Sequence, residues 1–390
     1  MNTAIAPFGP HFGFGLYVHW PYCARVCPYC DFNVYAAKDR ASGPLIDAII
    51  ADIHAHRPRL PQHGALDTVY FGGGTPALLQ PSEIAAILEA ASRAYGIAPG
   101  AEITLEANPN DVLRSDLAGL RAAGVTRLSI GVQSLRDSAL GFLGRDHDAL
   151  AGEKAVRLAL AAFPSVSFDL IYARPGQTAA AWEAELLDAL ALGAPHLSLY
   201  ELTFEPATAF GMAQRRGEMA PMEDDAQAEL YELTQRLTAQ AGLPAYEVSN
   251  HAAAPEHRSR HNLIYWRSGD WIGVGPGAHG RLTVGGGRYA SEAERRPEAY
   301  IAAVQMLQNS WADAARLERK DVAQEILSMG LRASEGIDLR RVDLVSGRPV
   351  PRDKIGAFAE EGWVTLEGNV LSLTPAGRLL ADAITLQLSP

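Results

Sequence analysis

Three cysteines fall within eight residues, Cys23, Cys27 and Cys30 in the stretch WPYCARVCPYCDF, and the 390-residue chain holds no fourth. An odd number cannot make a complete set of disulfides. A zinc ion would want a fourth ligand, for which His19 and Asp31 stand nearest, but the spacing differs from the usual paired Cys-x-x-Cys knuckles. Buried thiols acting as small hydrophobes are the plain structural alternative. Three thiolates on one loop best suit a [4Fe–4S] cluster in which one iron lacks a protein ligand. That open iron can chelate a small molecule.

Such a loop needs a scaffold, and the surrounding pattern supplies one. Short β-rich runs recur at 15–20, 67–73, 101–107, 127–133, 166–172 and 196–202, separated by segments with helical spacing such as 81–95 and 179–193. Pro81–Ser82 and Asn110–Asp111 read as helix starts. Successive strand–helix units predict an α/β fold with a parallel sheet curled into a barrel or partial barrel, a doubly wound open sheet being the alternative. The cysteines follow the first strand, so they sit at a strand's C-terminal end, where barrel chemistry collects. Other polar residues fall at equivalent ends. The glycines of FGGGTP allow close approach of a ligand, with Thr75 beside them. Glu106, Gln133 and Asp169 lie in or end strands three to five, and Arg145 follows in FLGRDH.

The barrel is expected over 1–245, followed by an irregular Gly-, His- and aromatic-rich segment at 246–300 and a small α+β domain at 301–390. In the last, a helix precedes two short strands around Glu367-Gly368-Asn369, a hairpin turn, in a winged-helix-like arrangement. With a net charge of −11 we read this tail as a packing or partner module, and nucleic acid is not an expected ligand. There is no run of about 18 apolar residues to span a bilayer. The first sixteen residues lack the basic start and apolar core of a secretory signal, so a cytoplasmic location with reduced thiols is expected.

The stretches YVHWPYCARVCPYCDF, YFGGGTP, LEANP, LSIGVQS, FLGRDH and FDLIY resemble the radical S-adenosylmethionine (SAM) superfamily, and within it the coproporphyrinogen III dehydrogenase-like group. The resemblance covers nearly the whole chain and implies a partial six-stranded barrel with a winged-helix-like tail. It implies that Cys23, Cys27 and Cys30 hold the cluster and that SAM chelates its open iron. It also implies SAM contacts for Tyr17, Tyr29, Gly73, Gly74, Thr75, Glu106, Gln133, Arg145 and Asp169.

Two functions compete within that group. The oxygen-independent oxidase has a further cysteine two places after the third cluster ligand, where this chain has Phe32. It also has a longer N-terminal segment over its active site. HNLIYW at 261–266 instead resembles the His-Asn-x-x-Tyr-Trp motif of the haem-chaperone subfamily. That implies haem as cargo at His261, Asn262, Tyr265 and Trp266, acceptor haemoproteins as partners, and a cluster-dependent homodimer as one assembly state. The residue types agree: imidazole ligates haem iron, and flat aromatic faces suit a porphyrin. Arg258 and Arg260 are placed to pair with propionates, and His279, in GVGPGAHG, is a second candidate ligand. The bland alternative is a histidine and two aromatics packed beneath a loop. A radical SAM enzyme acting on RNA is a third reading, disfavoured by the acidic charge.

Overall fold

The computed structural model describes residues 6–36, 42–307 and 314–389. Six strands, β1 (Phe14–Trp20), β2 (Leu66–Gly73), β3 (Ile97–Ala107), β4 (Arg127–Gln133), β5 (Ser165–Tyr172) and β6 (His196–Glu201), lie side by side in chain order, each parallel to the next. The order from β1 to β6 never reverses, whereas a doubly wound sheet reverses its strand order at a switch point between its two halves. The partial barrel is therefore the architecture. Helices α1 (Ser42–His56), α2 (Pro81–Tyr95), α3 (Ala149–Ala162) and α4 (Ala179–Ala191) return the chain between strands.

Alternation within the strands explains why the sheet curls around a polar interior. Leu16, Val18, Val69, Phe71, Leu128, Phe168 and Leu197 are buried in one apolar core with Ile49 of α1, Ile87 of α2, Val156 of α3 and Leu186 of α4. Each such side chain contributes roughly 1.5–3 kcal/mol by leaving water. The residues between them in sequence, among them Tyr17, Thr68, Tyr70, Glu106 and Asp169, face the other way into the barrel. Local caps fix the helix starts. Gln80 and Glu83 form a capping box on α2, and Asp148 accepts from Ala151 N at 2.8 Å on α3.

The segment 246–300, expected to be irregular, is built of regular elements. It contributes β7 (Asn250–Ala252), the helix α6 (Arg260–Trp266), which follows α5 (Asp224–Gln240), and then β8 (Asp270–Val274), β9 (His279–Val284) and β10 (Gly287–Glu292). β8 pairs in parallel with the free side of β1, and β9 and β10 continue the sheet antiparallel to β11 (Ala315–Arg316), giving eleven strands among the described residues. β8 is buried on every residue and so shows no alternation to read. The hairpin did leave a signal: Gly285 and Gly286 both have positive φ, 56° and 75°, as a type I′ turn requires.

The tail has its own core. α7 (Arg319–Arg332), α8 (Leu339–Ser346), α9 (Arg352–Glu360) and α10 (Ala381–Leu388) pack Val322, Ile326, Leu327 and Ile384 against a three-stranded sheet. Its strands are β12 (Ile337–Asp338), β13 (Val364–Glu367) and β14 (Val370–Leu373), with the hairpin at Gly368–Asn369 where the sequence predicts it. The tail is fastened to α6: Arg267 pairs with Glu335 at 2.6 and 2.8 Å, and Arg341 donates to the Arg267 carbonyl at 2.6 Å. Among the described residues no helix is long and apolar enough to cross a membrane.

Candidate cluster and cofactor site

The loop after β1 carries the cysteines, and the glycines after β2 hold that loop down. Gly74 N donates to the Trp20 carbonyl at 2.7 Å, and Thr75 N to the Tyr22 carbonyl at 2.8 Å. A Cβ on residue 74 would lie 2.7 Å from the Tyr22 oxygen, so only glycine permits this approach. Gly73 has φ 102°, and a Cβ there would strike the His19 ring. His19 cannot serve a metal as it stands: its Nδ1 bonds the Tyr17 hydroxyl at 3.1 Å and its Nε2 the Asn33 carbonyl at 2.9 Å.

All three cysteines line one cavity of about 560 Å³ at the C-terminal end of the barrel, within the range of roughly 300–1,000 Å³ usual for small-molecule sites. Tyr29, Gly73, Gly74, Thr75, Glu106, Gln133, Arg145 and Asp169 line it too, so eight of the nine expected cofactor contacts converge. The ninth, Tyr17, does not reach the wall. It ends three residues short of the strand terminus, with its ring stacked on Tyr70 at 6.1 Å.

Among the described residues no three His, Cys, Asp or Glu side chains converge on a point that would hold a single ion. Three thiols spread around a cavity suit a polynuclear cluster better than zinc. Arg145 faces them, donating to Cys27 Sγ at 3.2 Å, to the Gly131 carbonyl at 2.9 Å and to Asn108 Oδ1. Burial pushes the Cys30 thiol up to about 11, with the neighbouring Cys23 and Cys27 adding to the shift. Ionising thiols in this half-dry pocket therefore costs free energy, which bound iron would offset by holding them as thiolates.

The cofactor side of the cavity also fits a ligand. Gln133 adopts φ 68°, a left-handed backbone unusual for a non-glycine residue, and its buried Oε1 has no partner among the described residues. Burial, reinforced by the nearby Asp169 charge, raises the Glu106 carboxyl to about 7 despite bonds from the Tyr70 hydroxyl at 2.7 Å and Gly73 N at 3.0 Å. Asp169 is raised to about 6, again by burial. Two unneutralised carboxyls aimed at one cavity suit a ligand with an ammonium and hydroxyls. Thr75 is only 2% exposed and its hydroxyl accepts from Asn108 at 3.0 Å, so it braces the wall instead of offering a free oxygen. The sequence reading missed Tyr70 and Asn108. Tyr70 was findable, since it shares a face with Thr68 and Gly72 by strand alternation.

HNLIYW, the expected haem motif, lies elsewhere, at the N-terminal ends of the barrel strands. Its residues make α6, whose His261 is 1% exposed and points up into the barrel from the N-terminal ends of the strands. His261 Nδ1 bonds Thr68 Oγ1 at 2.6 Å and Nε2 bonds the Tyr265 hydroxyl at 2.7 Å, leaving no nitrogen for iron. Burial lowers the imidazole to about 3, so it is neutral. Glu102 accepts from the backbone N of Arg260 and His261 at 3.1 and 3.0 Å, anchoring the helix. Trp266 packs against Tyr246 and Leu263, and Asn262 is half-buried. Arg260 donates to the Gly100 carbonyl and Arg258 sits over Tyr246, so both cations are engaged in the floor. His279, by contrast, is 55% exposed at the start of β9.

A parallel barrel with a three-cysteine loop at one end and a ligand cavity beside it defines a class, the radical SAM proteins. Residues 17–189 match the Radical SAM superfamily and residues 317–380 the HemN C-terminal domain. The solved structure of Escherichia coli coproporphyrinogen III oxidase (HemN), described as a radical SAM enzyme, superposes with a TM-score of 0.80 at 21% identity, covering 99% of this chain and 91% of that one. That likeness shows the fold. The chain is 35% identical to the heme chaperone HemW of Mycobacterium tuberculosis over 97% of this chain and 95% of that protein, and 33% identical to that of E. coli over 95% and 96%. The zebrafish protein named radical S-adenosyl methionine domain-containing protein 1, mitochondrial, is 38% identical over 85% of this chain and 75% of that one. The chain belongs to the HemW family of radical SAM proteins.

Proposed function

We propose that this chain binds haem and delivers it to acceptor haemoproteins, with a [4Fe–4S] cluster on Cys23, Cys27 and Cys30 and SAM in the adjoining cavity. When bound, the cluster would supply low-potential electron chemistry to the SAM sulfonium. The chain's own part is to hold the three thiols around the cavity, orient Arg145 toward Cys27, and present Glu106 and Asp169 to the ligand's polar groups.

The observation that carries haem delivery over porphyrinogen oxidation is Phe32. Standing where the oxidase has its further cysteine, it is 61% exposed on the cavity wall and offers neither a thiol nor a charge. A carrier has no need of a further thiol there. Of the two candidate imidazoles, His279 presents its side chain to solvent, whereas His261 is enclosed and doubly bonded, so His279 is the expected axial ligand.

The test has two arms. Reconstituted protein with coproporphyrinogen III, SAM and a low-potential reductant, assayed anaerobically beside a known oxidase, should yield no protoporphyrinogen. Haem titration should give a saturable Soret band that His279→Ala weakens and His261→Ala leaves intact, and the loaded protein should restore an apo-haemoprotein. Catalytic porphyrin formation would replace this function with the oxidase. Loss of the Soret band in His261→Ala alone would return the iron to HNLIYW and require α6 to leave the floor.

A further inference from the structure

His261 is closed to solvent, yet it stands directly under the two aromatic residues that hold the working end of the barrel. Its ring stacks on Tyr70 at 5.0 Å and 28°, and lies 6.4 Å from Tyr17 at 30°. Gly15 makes the room: a Cβ there would come 3.1 Å from the imidazole and 2.8 Å from Thr68 Oγ1. From Tyr70 the contacts run to the cofactor wall. The Tyr70 hydroxyl donates to one Glu106 oxygen, and the other accepts from Gly73 N. From Tyr17 they run to the cluster loop. The Tyr17 hydroxyl bonds His19, and His19 bonds the carbonyl of Asn33, three residues beyond Cys30.

We propose that His261, locked by Thr68 and Tyr265, is a positioning residue for the cofactor site, setting Glu106 through Tyr70 and the Cys30–Asn33 loop through Tyr17 and His19. The histidine and tyrosine of HNLIYW then share one purpose, since Tyr265 fixes the ring that the two upper tyrosines rest on. Asn262 N and Ser259 Oγ start the helix, and Glu102 ties its first turn to β3, so the support is rigid. Haem contact is not needed to explain why an imidazole stands here.

The inference rests on the cavity being a SAM site, and the experiment separates the two. SAM dissociation constants are measured by equilibrium dialysis for cluster-reconstituted wild type, Tyr70→Phe and His261→Ala, across pH. Tyr70→Phe keeps the stacked ring and removes one hydrogen bond, so it folds even where His261→Ala does not. It should weaken SAM about tenfold, the size of one lost bond to a charged group, with iron and sulfide content unchanged. The pH midpoint of binding should also rise, because the Tyr70 bond opposes burial in setting the Glu106 carboxyl. The groups facing that carboxyl are Tyr17, Tyr70, Asp169, Tyr200 and Tyr265, and the variant alters only one of them. His261→Ala should weaken SAM at least as much and alter the change that SAM makes in the EPR spectrum of the reduced cluster. Wild-type protein that binds no SAM overturns the cofactor reading and this one with it. Wild type that binds, with both variants matching its affinity and midpoint, overturns the positioning role alone.

Discussion

Replacing Glu106 with glutamine should stabilise the cluster-free protein while removing its ligand affinity, and the stabilisation should depend on pH. The carboxyl is raised from 4.5 to about 7 because ionising it inside the barrel forfeits hydration that Tyr70 and Gly73 only partly replace. A raised carboxyl favours the fold while protonated, below its ordinary value, and loses that advantage as pH climbs to its folded value. At about 1.4 kcal/mol for each tenfold change in proton affinity, the ionised group burdens the fold by about 3 kcal/mol above pH 7. Glutamine is neutral and keeps an acceptor for Tyr70, but it turns an amide toward Gly73 N at a loss of about 1 kcal/mol. The net gain is about 2 kcal/mol at pH 8, falling to nothing or slightly below by pH 5, and denaturant melts of the cluster-free proteins at the two pH values measure it. A Glu106→Gln advantage that is equal at both would refute the reasoning, since the burden would then not arise from ionisation. No gain at pH 8 would mean that cavity water already solvates the carboxylate.

Cys23→Ser, Cys27→Ser and Cys30→Ser should each abolish the broad cluster absorption, and unchanged iron and sulfide content would remove the assignment. If SAM requires the ionised form of Glu106, its affinity should fall about tenfold between pH 8 and pH 6, read by equilibrium dialysis, with Asp169 steepening the loss below. Away from the site, Glu185 is buried with Arg174 at 2.6 Å and accepts from Leu135 N at 2.9 Å. Arg174→Met should cost about 3 kcal/mol in a denaturant melt by stranding that carboxylate, and a cost below 1 kcal/mol would show that Ser134 and Leu135 suffice.

Local pattern determined a great deal here. The three cysteines pointed to a cluster by number and spacing, because such a ligand set is contiguous in sequence. The six barrel strands were legible because each alternates an outer apolar row with an inner polar one, and the hairpin at Gly368–Asn369 because its turn chemistry is local. Residues at the strand ends converged as expected once a parallel barrel was granted, since that fold places all such ends on one side. Tertiary structure decided what pattern could not carry. β8 has no alternation because both faces are covered, and its place beside β1 joins residues some 250 positions apart. HNLIYW reads identically as a porphyrin contact or a packed floor, because residue type says what an imidazole is able to bind and not what already surrounds it. Only the fold brings Thr68, Tyr70 and Tyr265 around His261 and gives both of its nitrogens hydrogen-bond partners.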